Sequence, residues 1–189
     1  MYFSNNEILE EISEIKLLGV FIENSLKWTK NTDYICQKAR QRIWLLRNMK
    51  KSGLTLAELI DAYIKEVRSL LEMAVPVWHS GLTKEESHQI ERVQKAALTA
   101  IIGQNDLSYR KALELTKLDS LYDRRQKICL KFITKNINSQ TPLLSKTQKC
   151  YNTRDKSKVV NEYQCRTSAF FNSPLPFLAR LFNASVKNA

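Results

Sequence analysis

The sequence predicts a mainly α-helical chain with a short N-terminal β-strand or hairpin and a partly ordered C-terminal tail. Three observations carry that fold class. Apolar residues recur every three or four positions from Ile35 to Ile101, the spacing that gathers side chains on one face of a helix. Two Thr-x-x-Glu signatures, Thr55 with Glu58 and Thr83 with Glu86, have the capping-box spacing that opens helices. Gly53, Pro76 and Gly103 fall where the apolar periodicity stops, as expected of residues that end helices.

The elements follow in chain order. Ile15 to Ile22 is short and apolar, and Val20 and Phe21 favour a strand, with Gly19 interrupting it and Asn24-Ser25 as the turn. A lone strand leaves its backbone groups unpaired, so it must pair locally, dimerise or fray. Trp28 is placed to close this strand against the first helix. That helix turns Ile35, Ala39, Ile43, Leu46 and Met49 to one side, with Gly53 as its stop. The next carries Leu59, Tyr63, Val67, Leu70 and Ala74, and Pro76 ends it. The third carries Ile90, Val93, Ala97 and Ile101 before Gly103. A short helix is expected from about Tyr109 to Leu115. A longer one runs from Leu121 to about Ile137, capped by Ser120 with Asp123 in its first turn. Beyond Asn138 the pattern weakens. Pro142, Pro174 and Pro176 interrupt it, Gln140 to Tyr163 is mostly polar, and one short helix is expected from Phe177 to Phe182.

Composition narrows the function classes. The chain has 189 residues, with 30 Lys plus Arg against 19 acids for a net charge of +11. A surplus of that size favours polyanions. The cysteines Cys36, Cys129, Cys150 and Cys165 form no close pair, and the histidines are His79 and His88. A structural zinc site calls for close ligand pairs, so no metal or other cofactor is expected, and the thiols read as ordinary ones in a reducing compartment. Neither a signal peptide nor an apolar run of membrane-spanning length is present in the sequence, so the expectation is an intracellular chain with no membrane partner.

The acids do not suggest catalysis. Asp33, Asp61, Asp106, Asp119, Asp123 and Asp155 stand alone, with no Asp-Asp pair to hold catalytic metal ions. No phosphate-cradling glycine loop is present either. His79, in the Trp78 corner, and His88 are read as structural or solvated. Basic residues carry more information. Between Tyr34 and Ala57 there are six (Lys38, Arg40, Arg42, Arg47, Lys50 and Lys51) and no acid. Helical spacing gathers Arg40, Arg47 and Lys51 opposite the apolar face, with Trp44 beside them. Guanidinium groups next to an exposed indole can grip phosphate while the ring stacks on a base or ribose. The competing reading has Trp44 packed under another element and covered by the arginine stems. A second stripe of Arg124, Lys127, Lys131 and Lys135 lies along the Leu121 helix, suited to following a phosphate backbone or simply to facing solvent. Arg166 fits either a buried structural arginine or a phosphate contact.

The run Ala74-Val75-Pro76-Val77-Trp78-His79, then Gly81-Leu82-Thr83 and Ala100-Ile101-Ile102-Gly103, resembles the C-terminal end of non-LTR (LINE-type) retrotransposon reverse transcriptases, nearest the jockey-like groups. Leu17-Leu18-Gly19-Val20 upstream, with Tyr163-Gln164-Cys165-Arg166-Thr167 and Asn172-Ser173-Pro174 downstream, extends the resemblance from about Lys16 to Asn183. It implies four parts: residues 1–28 as the remnant of a palm-closing hairpin, 29–103 as a helical thumb-like bundle, 104–138 as C-terminal helices, and 139–189 as a basic tail interrupted by prolines. It also implies that the polymerase aspartates and the endonuclease lie elsewhere, so this chain alone is not an enzyme.

Two functions follow as expectations. One is nonspecific binding of RNA or an RNA–DNA or DNA duplex through Lys38, Arg40, Arg42, Trp44, Arg47, Lys50 and Lys51, with Arg124, Lys127, Lys131 and Lys135. The other is a non-catalytic interaction fragment, or a translated relic, that self-associates through its unpaired N-terminal strand.

Overall fold

A computed structural model of the chain describes residues 12–104, 106–137, 144 and 159–187. It is mainly helical, with one small antiparallel hairpin at its N-terminal end. The expected single strand is two: β1 (Glu14–Leu17) pairs antiparallel with β2 (Val20–Glu23) in the register Glu14↔Glu23 to Leu17↔Val20. Asn24-Ser25 forms the expected turn after β2, closed by the Leu26 N–H donating to the Glu23 carbonyl at 2.9 Å, while the two strands reverse at Leu18-Gly19. Both turn residues have positive φ, 47° and 89°, the backbone of a tight hairpin turn that glycine adopts at no steric cost. Local pairing satisfies the backbone groups that the two strands turn toward each other. The hairpin rests on the first helix through Phe21, whose ring meets Tyr34 edge-on and whose N–H donates to Asn31 Oδ1 at 3.2 Å.

Helix α1 (Thr29–Lys51) buries Ile35, Ala39, Ile43 and Leu46 as expected. Gly53 closes it at φ 86°. Its N–H donates to the Lys50 carbonyl at 3.0 Å and that of Leu54 to Met49 at 3.3 Å, the paired bonds that occupy orphan carbonyls at a glycine-terminated helix end. Thr55 and Glu58 form the expected capping box at the start of α2 (Leu56–Ala62).

The second helical rod departs from a regular helix. Residues Tyr63–Arg68 form a π-helical turn before α3 (Ser69–Glu72). Its buried residues are Leu59, Tyr63, Val67 and Leu71, and the expected Leu70 is only half-buried. A spacing of four drifts about 40° per step around an α-helix, and the wider π turn cancels that drift. Pro76 does not end the rod. The chain breaks earlier, at Ala74 (φ 53°), and Pro76 sits in the first turn of α4 (Val75–Trp78), where a missing N–H costs nothing. Trp78 is fully buried, and its indole N–H donates to the Met73 carbonyl at 2.8 Å.

A 3₁₀ turn (His79–Gly81) leads into α5 (Lys84–Ile102), which opens with the Thr83/Glu86 capping box and closes at Gly103 with φ 81°. α5 lies parallel to α1. Thr29 Oγ1 donates to Glu86 Oε1 at 2.8 Å and Gln89 Nε2 to Asp33 Oδ1 at 2.9 Å near their N-terminal ends. At the other ends the Lys50 amine rests over Gly103. Helices α6 (Tyr109–Thr116) and α7 (Leu121–Asn136) begin at Ser108 and Ser120, whose hydroxyls accept from Lys111 and Asp123 backbone N–H.

The C-terminal region is more helical than its prolines suggest. A short turn, α8 (Ser168–Phe171), precedes α9 (Pro174–Lys187), which is longer than the expected Phe177–Phe182 segment. Pro174 and Pro176 fall in its first turn, where prolines start helices instead of interrupting them. α9 packs on α7, burying Leu178 and Ala179. Asn183 clamps the preceding chain, accepting from the Val160 N–H at 3.1 Å and donating to the Val160 carbonyl at 2.9 Å. Most of the polar stretch 140–163, with Pro142 and Cys150, lies outside the described residues.

Two substitutions test this packing. A methyl group on Gly81 would fall 2.6 Å from Cδ1 of the buried Trp28, so Gly81→Ala is expected to lower unfolding free energy by about 1–3 kcal/mol, read as a lower urea midpoint. The Tyr63 hydroxyl is buried without a hydrogen-bond partner. Tyr63→Phe is therefore expected to leave stability unchanged or raise it by up to about 1 kcal/mol.

Candidate nucleic-acid interface

The six basic residues of α1 divide into groups that one-dimensional spacing did not separate. Arg42 turns to the rod and pairs with Glu66 on the π turn. Lys38 lies 5.9 Å from the centre of the Tyr34 ring, on the hairpin side. Arg40 is exposed beside Trp44, whose indole is 66% exposed. Trp44 is therefore not packed under another described element. Arg47, Lys50 and Lys51 line an open groove of about 780 Å³ between the C-terminal halves of α1 and α5. Arg47 and Lys51 thus flank the buried face of α1 instead of opposing it, because α5 packs alongside that face.

α5 supplies the other wall. Arg92, Lys95, Ala96, Thr99, Ala100 and Gly103 complete the groove, so five cationic side chains meet with no acid among the lining residues. Arg92 also pairs with Glu85, two turns earlier on the same face of α5. The sequence reading missed Arg92 and Lys95, since only the parallel packing of α5 on α1 brings them to the cluster. Two helix C-termini end here together. Their partial negative charges favour cations, and Lys50 answers them most directly, with its amine over Gly103. Lys50 therefore has a structural task, while Arg40, Arg47, Lys51 and Lys95 make no ion pair among the described residues.

The stripe along α7 is half neutralised. The Arg124 guanidinium takes Glu72 of α3 in a two-point ion pair, Nη2 to Oε2 at 2.9 Å. Lys127 pairs with Asp119 at 2.6 Å, and that bond holds the Asp119 carboxyl below its ordinary range. Only Lys131 and Lys135 remain exposed without an ion pair among the described residues, along a shallow trough shared with Leu130 and Thr134. The acids that break the stripe come from other elements and are invisible to helical spacing. Arg166 is exposed, which removes the buried alternative.

Arg125 differs entirely from its neighbour. Its side chain is fully buried; Nε donates to His79 Nδ1 at 3.3 Å and Nη2 to Ser87 Oγ at 2.7 Å. Glu91 Oε1 lies 3.9 Å from Nη1. The same carboxylate accepts from the N–H of Tyr122 at 2.6 Å and from the Tyr109 hydroxyl at 2.5 Å. Gln94 accepts from the Leu121 N–H at 3.1 Å, so α5 side chains cap the N-terminus of α7. His79 is buried between the rings of Tyr122 and Phe177. Burial, aided by the Arg125 charge, pushes its pKa down to about 4, which keeps the imidazole neutral. Ser87 is thus held by a guanidinium and not by a basic imidazole. Burial likewise raises the Cys36 thiol to about 11 and Cys129 to about 12, so both stay protonated. Among the described residues no cluster of His, Cys, Asp and Glu could hold a metal ion, and no helix is long and apolar enough to cross a membrane.

The His79 shift fixes a pH dependence. The unfolded imidazole takes its proton near pH 6.5, the folded one only near pH 4, so the unfolded state binds more protons within that window. Stability is full above pH 6.5 and falls as the pH drops. From pH 7 to pH 5 the loss is expected to be about 2 kcal/mol, seen as a lower Tm. His79→Gln, which keeps an acceptor for Arg125, should flatten the dependence.

No protein-family model, no curated protein and no solved structure matches this chain.

Proposed function

We propose that this chain is a non-catalytic nucleic-acid-binding module, similar to the thumb and post-thumb part of a LINE-type reverse transcriptase. It holds RNA or an RNA–DNA duplex by its phosphates, without sequence preference, inside the cell. One observation carries this reading: the acid-free groove in which Arg47, Lys50 and Lys51 meet Arg92 and Lys95, beside an exposed Trp44. Five cations in one open groove favour a ligand with repeated negative charge. An exposed indole next to guanidinium groups adds a stacking platform for a base at a strand end or in an unpaired stretch. Arg40, Arg47, Lys51 and Lys95 bind phosphate in this reading, and Trp44 takes a base or ribose. Lys131 and Lys135 form a second, weaker contact. Arg124 and Lys127, already paired with Glu72 and Asp119, act on the fold and not on the ligand.

Nuclease-treated protein should bind a labelled RNA–DNA hybrid with a log-log salt slope of about −3 to −4, as three or four phosphate contacts require. Arg40, Arg47 and Lys51 changed together to Ala should flatten that slope by about 2 or more. Trp44→Ala should weaken single-stranded RNA more than duplex. Absence of binding at about 50 mM salt, where such contacts are strongest, would sink the proposal. A second reading, in which the chain associates with a copy of itself, is favoured by the exposure of every residue of β1.

A further inference from the structure

Among the described residues the hairpin leaves one edge open, and its backbone phase decides how that edge can pair. Asn24 N–H donates to the Ser13 carbonyl at 2.9 Å, so Ser13 faces β2. Backbone groups alternate sides along an antiparallel strand. Ile15 and Leu17 therefore also bond toward β2, while the N–H and C=O of Glu14 and Lys16 point to the outer edge. All four residues of β1 are exposed, Ile15 at 47% and Leu17 at 54%. Among the described residues the sheet has only these two strands.

We propose that β1 pairs antiparallel with β1 of a second copy about a two-fold axis through Ile15, setting Glu14 of each chain opposite Lys16 of the other. This rests on the self-association reading and is independent of nucleic-acid binding. Charge selects the register. Only residues whose backbone points outward can exchange hydrogen bonds across the new edge, which limits the choice to Glu14 and Lys16. An axis at Glu14 sets carboxylate against carboxylate, and one at Lys16 sets amine against amine, both unfavourable. The axis at Ile15 gives two opposite-charge pairs and four backbone hydrogen bonds. It also brings the two Ile15 side chains together, on the face that carries Val20 and Ile22. A two-fold contact between identical strands is self-complementary and closes at two copies.

Space permits this arrangement. α1 packs on β2, and in the four-stranded sheet the two β2 strands stand three spacings apart, about 14 Å. Packed helices need only about 8–10 Å between axes, so two α1 helices, each seated on its own β2 with Tyr34 and Lys30 reaching β1, would have room on one face. The contact is small, and the dimer is accordingly weak and concentration-dependent.

The test uses sedimentation velocity of the nuclease-treated full chain over about 5–500 µM, a range that spans weak association. Glu14→Lys or Lys16→Glu alone should weaken the dimer roughly tenfold by setting like charges opposite each other, and the double swap should restore it to within about threefold. Glu14 also contacts Lys30, and Lys16 also bonds Tyr34, so a register-specific crosslink gives a second readout. With Cys150 and Cys165 changed to Ser, Ile15→Cys should form an intermolecular disulfide. Its two copies face each other in a non-hydrogen-bonded pair about 4.5 Å apart, within disulfide reach. Ser13→Cys, whose copies stand about 14 Å apart across the axis, should not crosslink. A monomer at every concentration overturns both the register and the self-association reading. A dimer insensitive to the swaps and uncrosslinked at position 15 overturns the register alone.

Discussion

Helices α1 and α5 lie parallel, tied near their starts by Thr29 to Glu86 and at their ends by Lys50 over Gly103, and much of the molecule follows from that contact. A chain that packs two helices in parallel must travel back between them. α1 has 23 residues, about 34 Å of helix at 1.5 Å per residue, so the return has to be long and close-packed. The rod from α2 through the π turn to α3 makes that journey, and the Trp78 corner reverses it again. The π turn keeps Leu59, Tyr63, Val67 and Leu71 aimed at the core over the whole return. Trp28 and Gly81 meet where the corner passes the start of α1, which is why that position has no room for a side chain.

The same geometry concentrates charge. Parallel helices place both C-termini at one end, and the groove there gathers lysines and arginines from both. Cations at helix C-termini are locally favourable, so the fold tolerates a cluster that would otherwise repel itself. Arg47, Lys51 and Lys95 of that cluster make no ion pair among the described residues. Elsewhere the fold neutralises what the chain carries: Glu72 takes Arg124, Asp119 takes Lys127, and Glu66 takes Arg42. Net charge gives only the surplus of cations; the pairing pattern shows which of them stay without an ion pair among the described residues.

A buried polar node joins the C-terminal helices to this frame. Arg125 from α7 meets His79 from the corner and Ser87 from α5, while Glu91 and Gln94 cap the start of α7. Removing any member would strand a buried polar group, which costs more than the bond itself contributes. Phe177 on α9 completes the arrangement by closing over His79. The C-terminal helix is therefore docked both on α7 and on the corner between the rod and α5.

The local rules written into the chain settled most helix boundaries. Thr55, Thr83 and Ser120 cap helices, Gly53 and Gly103 end them, and Ile35 to Leu46 face the core, because caps and periodicity depend only on neighbours within a turn or two. Tertiary structure decided what depends on residues far apart in sequence. Leu70 gave way to Leu71 because packing favoured a π turn, and Pro76, Pro174 and Pro176 start helices because the preceding helices have already ended, at Glu72 and Phe171. The candidate interface divides the same way. Arg40, Trp44, Arg47 and Lys51 were legible as a cluster on one helix, whereas Arg92 and Lys95 join only through α5. Arg124 and Arg125 are adjacent and chemically alike, yet one pairs with an acid 52 residues away and the other is buried against a histidine 46 residues away. Sequence spacing shows which way a side chain points on its own helix; what it meets there is set by the helix that packs against it.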